Sequence, residues 1–301
     1  MRTYLYISYK CNCNCFFCAS DKTNVVKNEN EVTLEEAKKF ILESPTKQDL
    51  IISGGEPTIH RDFLEIVRFA KQNFEHVSLM SNGIKFADMD FLKATIDAGV
   101  DRISIPFYSS VDNELNHMVG NPNAYVNVLR GISNINELLP LRSFDVQIKL
   151  LLAKFTYKSN PISIDFIASH FGNLKNVSLF GFHISNKALQ HADDCIINYE
   201  ESRSYNDLTI ERMQNYGFNY HVCEIPLCAF SEKIIGVLLK TKRIIYTGDT
   251  YLKRPDSQTK VVSSSVFLPE DCRDCALIAL CPKVLKKNAS SFDYGLKPLI
   301  F

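Results

Sequence analysis

The sequence contains no tryptophan and only five methionines in 301 residues, and it carries no charge of one sign in excess: 34 Lys and Arg face 34 Asp and Glu. A net charge of zero leaves no basic field to gather nucleic acid or an anionic membrane, so neither is expected as a partner. Long hydrophobic runs are missing too. Runs such as Ile234 to Leu239 fall far short of the ~20 apolar residues a membrane span needs. The opening stretch Met1 to Lys10 alternates and then meets cysteines, without the apolar core and small-residue cleavage site of a secretory signal. A cytoplasmic location is the resulting expectation. No low-complexity tract occurs, and the basic cluster Lys283 to Lys287 reads as a solvated face.

What is present is a globular balance, 46% apolar and 23% charged, in a chain long enough for a sizeable core. Ten cysteines stand out: Cys11, Cys13, Cys15, Cys18, Cys195, Cys223, Cys228, Cys272, Cys275 and Cys281. In a long chain without a secretory signal, clustered cysteines point to metal rather than disulfides. Clusters at both ends predict two separate metal sites.

From residue 3 to about 220 the chain alternates between strand-like and helix-like segments. Thr3 to Tyr9 reads as a strand, and Thr33-Leu34-Glu35-Glu36 reads as a capping box opening a helix. Asp49 to Ser53, Val77 to Ser81, Arg102 to Tyr108, Phe144 to Leu152 and Val177 to Phe182 read as further strands. Helical stripes lie between them, such as Phe63, Ile66, Val67, Ala70 and Phe74. About six β–α units imply an α/β fold with a parallel sheet and helices outside it. An open doubly wound sheet and a closed or partial barrel both satisfy that pattern. Past residue 217 the pattern changes: Phe218 to Val222 reads as one more strand, Ile234 to Leu239 and Arg243 to Thr247 as a hairpin, and 253–265 as loop. We therefore expect a main domain over 1–217 and a small metal-bearing domain over 218–301.

Cys11, Cys15 and Cys18 have the spacing C-x3-C-x2-C directly after the first strand. Three thiolates bind three corners of a cubane iron–sulfur cluster and leave one iron open to substrate. A structural zinc loop using Cys13 as a fourth ligand is the alternative. The second strand ends in Gly54-Gly55-Glu56-Pro57, where paired glycines admit close backbone approach and Glu56 offers an acceptor to an ammonium.

Taken together these motifs resemble the radical S-adenosylmethionine (SAM) superfamily, with Phe17 at the aromatic position of C-x3-C-x-aromatic-C and Gly54-Gly55-Glu56-Pro57 at the family's second motif. The resemblance spans roughly residues 3–220. It implies a partial (β/α)6 barrel and a [4Fe–4S] cluster on Cys11, Cys15 and Cys18, with Cys13 a bystander. It also implies reductive cleavage of SAM to a 5′-deoxyadenosyl radical that removes a hydrogen atom from substrate. Ser81 and Asn82 resemble the family's Thr-Asn-Gly and, with Ser104, would meet the SAM ribose or methionine. Lys149 would meet the SAM carboxylate, unless it is a solvated strand residue. Gly181 would line the adenine. An external electron donor of flavodoxin or ferredoxin type is implied.

Near the other end, Cys272, Cys275 and Cys281 give C-x2-C-x5-C, with Ile225-Pro226-Leu227-Cys228 upstream. This resembles the auxiliary-cluster extensions of radical SAM enzymes called SPASM or twitch domains. The implied site is a second [4Fe–4S] cluster on Cys228, Cys272, Cys275 and Cys281, with structural zinc as the alternative. The cysteines are too few for a full SPASM domain, and Pro282-Lys283 stands where the family often has glycine after the third cysteine. Radical SAM proteins with such extensions often modify ribosomally made peptides, so a peptide substrate is expected, though the sequence shows no separate leader-peptide-binding domain. The rival readings are an enzyme acting on a small metabolite or a protein, and a non-catalytic zinc or iron–sulfur interaction or electron-transfer protein. Tyr108, Cys223 and Cys195 are unranked candidates for the residue that quenches the product radical.

Overall fold

A computed structural model describes residues 2–19, 31–183, 185–245, 250–255, 257–262, 266–267, 272, 274–282 and 284–285. Eight strands run parallel and pair in chain order: β1 (Arg2–Ser8), β2 (Asp49–Gly54), β3 (His76–Met80), β4 (Arg102–Pro106), β5 (Asp145–Leu152), β6 (Asn176–Gly181), β7 (Asn219–Cys223) and β8 (Ile244–Ile245). On the other side of β1 lie β9 (Thr250–Arg254), parallel to it, and β10 (Ser257–Val262), antiparallel to β9. The sheet ends at β10 and β8 and does not close, so the α/β fold is the partial barrel expected.

Crossover helices link successive strands: α1 (Leu34–Glu43), α2 (Phe63–Asn73), α3 (Met89–Asp97), α4 (Asp112–Val119), α5 (Ala124–Leu138), α6 (Asn160–His170), then the short α7 (Asn186–Leu189) and α8 (Ala192–Cys195), and α9 (Tyr199–Asn215) and α10 (Glu232–Lys240). Strand alternation decides where the core sits. Leu5, Ile7, Leu50, Ile52, Leu79, Ile103, Ile105, Ile148 and Leu150 are buried in one cluster with Phe40, Ile66, Ile132 and Ile164 of the helices. The intervening residues Tyr4, Ile51, Ser78, Ser104, Gln147 and Lys149 face a cavity instead. Arg2 on β1 and Lys149 on β5 line that same cavity, so the sheet curls around it.

The Thr33 capping box forms as read: the Glu36 amide donates to Thr33 Oγ1 at 3.2 Å and the Thr33 amide to Glu36 Oε2 at 2.8 Å. Two expectations fail. Ile234 to Leu239 lies in α10, not in a hairpin strand, and β8 pairs in parallel with β7. An uninterrupted apolar run fits a buried strand or a buried helix equally well. Here Ile234, Ile235 and Leu238 share one buried helix face. The stretch read as loop holds β9's last residues and β10, whose polar sequence suits the outer edge of a sheet. Thr247 and the cluster residues Lys283, Lys286 and Lys287 lie outside the described residues.

Candidate functional site

The cysteine loop leaves the C-terminal end of β1, and neighbours tie it down along its length. Asn14 N–H donates to Val119 O at 2.8 Å at the end of α4, and Asn121 Nδ2 donates to Asn12 O at 2.9 Å. Lys187 Nζ donates to Asn14 Oδ1 at 2.8 Å. Cys11, Cys15 and Cys18 remain partly exposed, whereas Cys13 is buried in a small apolar cluster with Phe17, Leu115, Met118 and Val119. Phe17 packs edge-on against Tyr108, centroids 4.9 Å apart, and beside Phe155 at 4.6 Å. The aromatic position of the motif thus anchors the loop to an apolar floor.

Among the described residues no three His, Cys, Asp or Glu side chains converge closely enough to hold a single metal ion. A cubane does not require that, because each thiolate binds a different iron. Burial, then the neighbouring Cys18 and Cys11, push the Cys15 thiol up to about 12. The three sulfurs therefore share one electrostatic neighbourhood, and ionising them together calls for the positive charge that iron supplies. Cys13 N–H also donates to Cys11 Sγ at 3.4 Å, a backbone donor of the kind that tunes ligand sulfurs. The donor set fits an iron–sulfur cluster with one open iron.

Next to the loop, Gly54 and Gly55 are there for chain-to-chain approach. Gly54 has φ +143°, and a Cβ on it would lie 2.3 Å from Ser8 O; one on Gly55 would lie 2.2 Å from Lys10 O. The bare backbone instead donates Gly55 N–H to Ser8 O at 2.7 Å and Glu56 N–H to Lys10 O at 2.8 Å, fixing the start of the cysteine loop. Glu56 is fully buried and its carboxylate accepts four hydrogen bonds. Oε1 takes Thr58 N–H at 3.1 Å, Thr58 Oγ1 at 2.6 Å and Ser81 Oγ at 2.8 Å; Oε2 takes Asn82 N–H at 2.7 Å. Burial pushes its carboxyl above the usual range while these donors pull it back. Asn82 then reaches the loop, donating Nδ2 to Asn12 Oδ1 at 2.7 Å. Gly181 likewise serves approach: a Cβ there would strike Glu224 O at 1.9 Å.

Toward the N-terminal ends of the strands the sheet encloses a cavity of about 400 Å³ whose lining includes Arg2, Asp49, Ser104, Lys149 and Cys223. None of the cysteine-loop residues, nor Glu56, Ser81 or Asn82, belongs to that lining. Burial draws the Lys149 ammonium from the usual 10.5 down to about 8. Of the three quenching candidates Cys223 alone borders the cavity, and burial pushes its thiol up to about 12, so it stays S–H. Tyr108 sits against Phe17, and Cys195 is fully buried at the end of α8.

Of the expected second cluster, Cys228 lies on a 3-10 turn (Leu227–Ala229) after β7, and Leu227 N–H donates to Cys281 Sγ at 3.4 Å. The structure thus brings Cys281 to the Leu227-Cys228 segment across 54 residues of chain. Cys272 and Cys275 share one turn, Cys275 N–H donating to Cys272 O at 3.2 Å. Sequence reasoning missed Asn12, Thr58, Asn121, Lys187 and Arg2. Only Asn12 lies within a motif, and Thr58 directly follows one; the others reach their partners through the tertiary fold.

Residues 5–146 match the family model of the Radical SAM superfamily. The chain is similar to a probable GTP 3′,8-cyclase of Saccharolobus islandicus, 31% identical over 135 residues, which cover 42% of this chain and 41% of the relative. It is also similar to the AdoMet-dependent heme synthase of Methanosarcina barkeri, 34% identical over 146 residues, covering 48% and 40%. The match thus spans about two fifths of the length of these curated relatives. Among solved structures, Streptococcus suis SuiB bound to precursor peptide SuiA aligns with a TM-score of 0.56 at 13% identity, over 73% of this chain and 48% of that one. HydG, a maturase of the [FeFe]-hydrogenase, aligns with a TM-score of 0.55 at 13% identity, over 74% and 51%. At such identities these structures speak to the fold alone. No described helix is long and apolar enough to cross a membrane.

Proposed function

We propose that this chain, whose residues 5–146 match the Radical SAM superfamily model, cleaves SAM reductively and abstracts a hydrogen atom from a peptide substrate. The observation that carries the reading is the cysteine loop. Cys11, Cys15 and Cys18 leave the sheet where the Gly54-Gly55-Glu56 clasp and Asn82 fix the loop's path. Cys11, Cys15 and Cys18 would hold a [4Fe–4S] cluster, which would supply the electron that cleaves SAM. The protein's part is to orient and to exclude water. Phe16, Phe17, Phe155 and Tyr108 form an apolar wall on one side of the loop. Gly54, Gly55, Glu56, Ser81 and Asn82 shape the ground where SAM binds, Phe17 holds the loop beneath it, and the backbone at Gly181 lines the adenine. Ser104 and Lys149 face the cavity below. An external low-potential donor of flavodoxin or ferredoxin type would supply that electron.

We assign 218–301 as an auxiliary-cluster region holding a second [4Fe–4S] cluster on Cys228, Cys272, Cys275 and Cys281. The Leu227 amide on Cys281 Sγ supports this set. Four protein thiolates would close that cluster, so its role is electron relay or support rather than substrate binding. The peptide substrate is favoured by this extension and by the fold shared with SuiB. Co-expression with a peptide encoded beside this chain tests it. A mass change in the peptide that disappears in Cys15→Ala supports the reading. An unmodified peptide, with turnover of a small metabolite instead, favours the second reading, to which the likeness to the probable GTP 3′,8-cyclase points.

A further inference from the structure

We propose that Lys187 is a positioning residue for the cysteine loop and that its ammonium raises the reduction potential of the cluster the loop would hold. This rests on the radical reading and adds a residue that tunes its first electron transfer. α7 brings Lys187 to the loop across 173 residues of chain: Nζ donates to Asn14 Oδ1 at 2.8 Å and to Asn14 O at 3.4 Å. That carbonyl belongs to the peptide leading into Cys15. Asn14 is held from its other side as well. Its amide donates to Val119 O at 2.8 Å, and Gly120 (φ +60°) is bare where a Cβ would come within 3.0 Å of Asn14 O. α7 is itself seated on the loop, because Ala188 is fully buried in one apolar cluster with Cys13, Phe17 and Cys195. Ser185 caps α7, its Oγ accepting the Ala188 amide at 3.1 Å. The place of the ammonium is thus set by the fold.

Among the described residues the Lys187 ammonium donates to Asn14 alone, so no carboxylate cancels its charge. Asp193 and Asp194, the nearest carboxylates in the sequence, stay exposed on α8. Lys10, at the start of the loop, is paired instead with Glu31 at 2.9 Å. The charge of Lys187 is felt at a ligand: burial, then Cys18 and Cys11, push the Cys15 thiol up, and Lys187 pulls it back. Reduction adds one negative charge to a site that already carries three thiolates. A fixed cation beside that site favours the reduced form, and net charge is one of the quantities that set a cluster's potential. The side chain is half-buried, so water and salt screen the effect without removing it. The contact that pins the loop also keeps the charge beside Cys15.

A potentiometric titration of the reconstituted holoprotein tests this. It is read by electron paramagnetic resonance on the reduced-cluster signal that added SAM perturbs, so that a second cluster does not enter. Lys187→Met keeps the bulk and loses the charge, and its midpoint should be the more negative. At the wild type's midpoint its ratio of reduced to oxidised cluster should be lower by about three-fold or more, which is about 30 mV for a one-electron couple. Lys187→Arg should stay near the wild type. Lys187→Gln keeps a donor for Asn14 without the charge and should shift as Lys187→Met does, which covers the case in which Lys187→Met loses its iron. Equal midpoints in the wild type and an iron-loaded neutral variant would overturn the proposal. So would a shift of the same size in Lys187→Arg, or loss of iron from both neutral variants, which would leave Lys187 a structural tie alone. A loaded wild type whose reduced signal does not respond to SAM sinks the radical reading instead.

Discussion

Glu56 and Asn82 are joined by a 2.7 Å hydrogen bond from the Asn82 amide to the Glu56 carboxylate, and the Asn82 side chain passes the connection to Asn12 at another 2.7 Å. The second motif of the chain therefore holds the first through one intervening residue. The carboxylate that the sequence offers to a cofactor ammonium is, in the structure, also the acceptor that organises the ends of β2 and β3.

Substituting Glu56→Gln turns one acceptor oxygen into a donor facing donors. A buried polar group left mismatched costs about 1–3 kcal/mol, more where charge is involved. Urea unfolding of the apo protein should show a loss of about 2–3 kcal/mol, and reconstituted iron should fall with it. An unchanged midpoint would mean that the four donors find other partners.

Gly55→Ala forces a methyl to 2.2 Å from Lys10 O and 2.5 Å from Tyr9 O, both backbone atoms that cannot swing aside. The expected cost is about 3 kcal/mol or more, read by thermal unfolding. Gly172→Ala meets nothing within 4 Å and is the control, predicted to be neutral or stabilising by about 0.5 kcal/mol.

The sheet and most of its helices were legible because alternation and helical stripes record burial directly. The stripe Phe63, Ile66, Val67 and Ala70 is buried in α2 as the spacing demands. The Gly54-Gly55 pair was legible as a place of close approach. What approaches was not: Ser8 and Lys10 backbone, more than 40 residues earlier in the chain. Nor was the division of the site. Ser81 directly follows β3 and Lys149 lies on β5, yet Ser81 is bonded into the Glu56 clasp and Lys149 opens onto the cavity. Register and curl decide that, and neither is written in local periodicity.

Lys149 makes stability depend on pH in a definite direction. The unfolded chain keeps this proton up to about the usual 10.5, and the folded chain releases it at about 8. The unfolded state thus binds more protons in that window, and on this group alone stability rises as pH climbs through it. Lys149→Met should therefore be more stable than the wild type at neutral pH, by a margin that shrinks as the window is crossed. Urea titrations of both apo proteins at neutral and at strongly alkaline pH check this. A less stable variant at neutral pH would contradict it.

At the other end of the chain, Cys281→Ala removes the sulfur that meets the Leu227 amide. Iron should drop from about eight to about four per chain, while SAM cleavage at the N-terminal loop persists. A wild type holding about four irons and one zinc would identify the C-terminal site as structural.

The most direct measurement is anaerobic reconstitution followed by dithionite and SAM, with chromatographic detection of 5′-deoxyadenosine. Wild type and Cys13→Ala should release it, and Cys11→Ala, Cys15→Ala and Cys18→Ala should not. Iron-loaded wild type that leaves SAM intact, or a Cys15→Ala protein that cleaves it as well as wild type, would contradict the account.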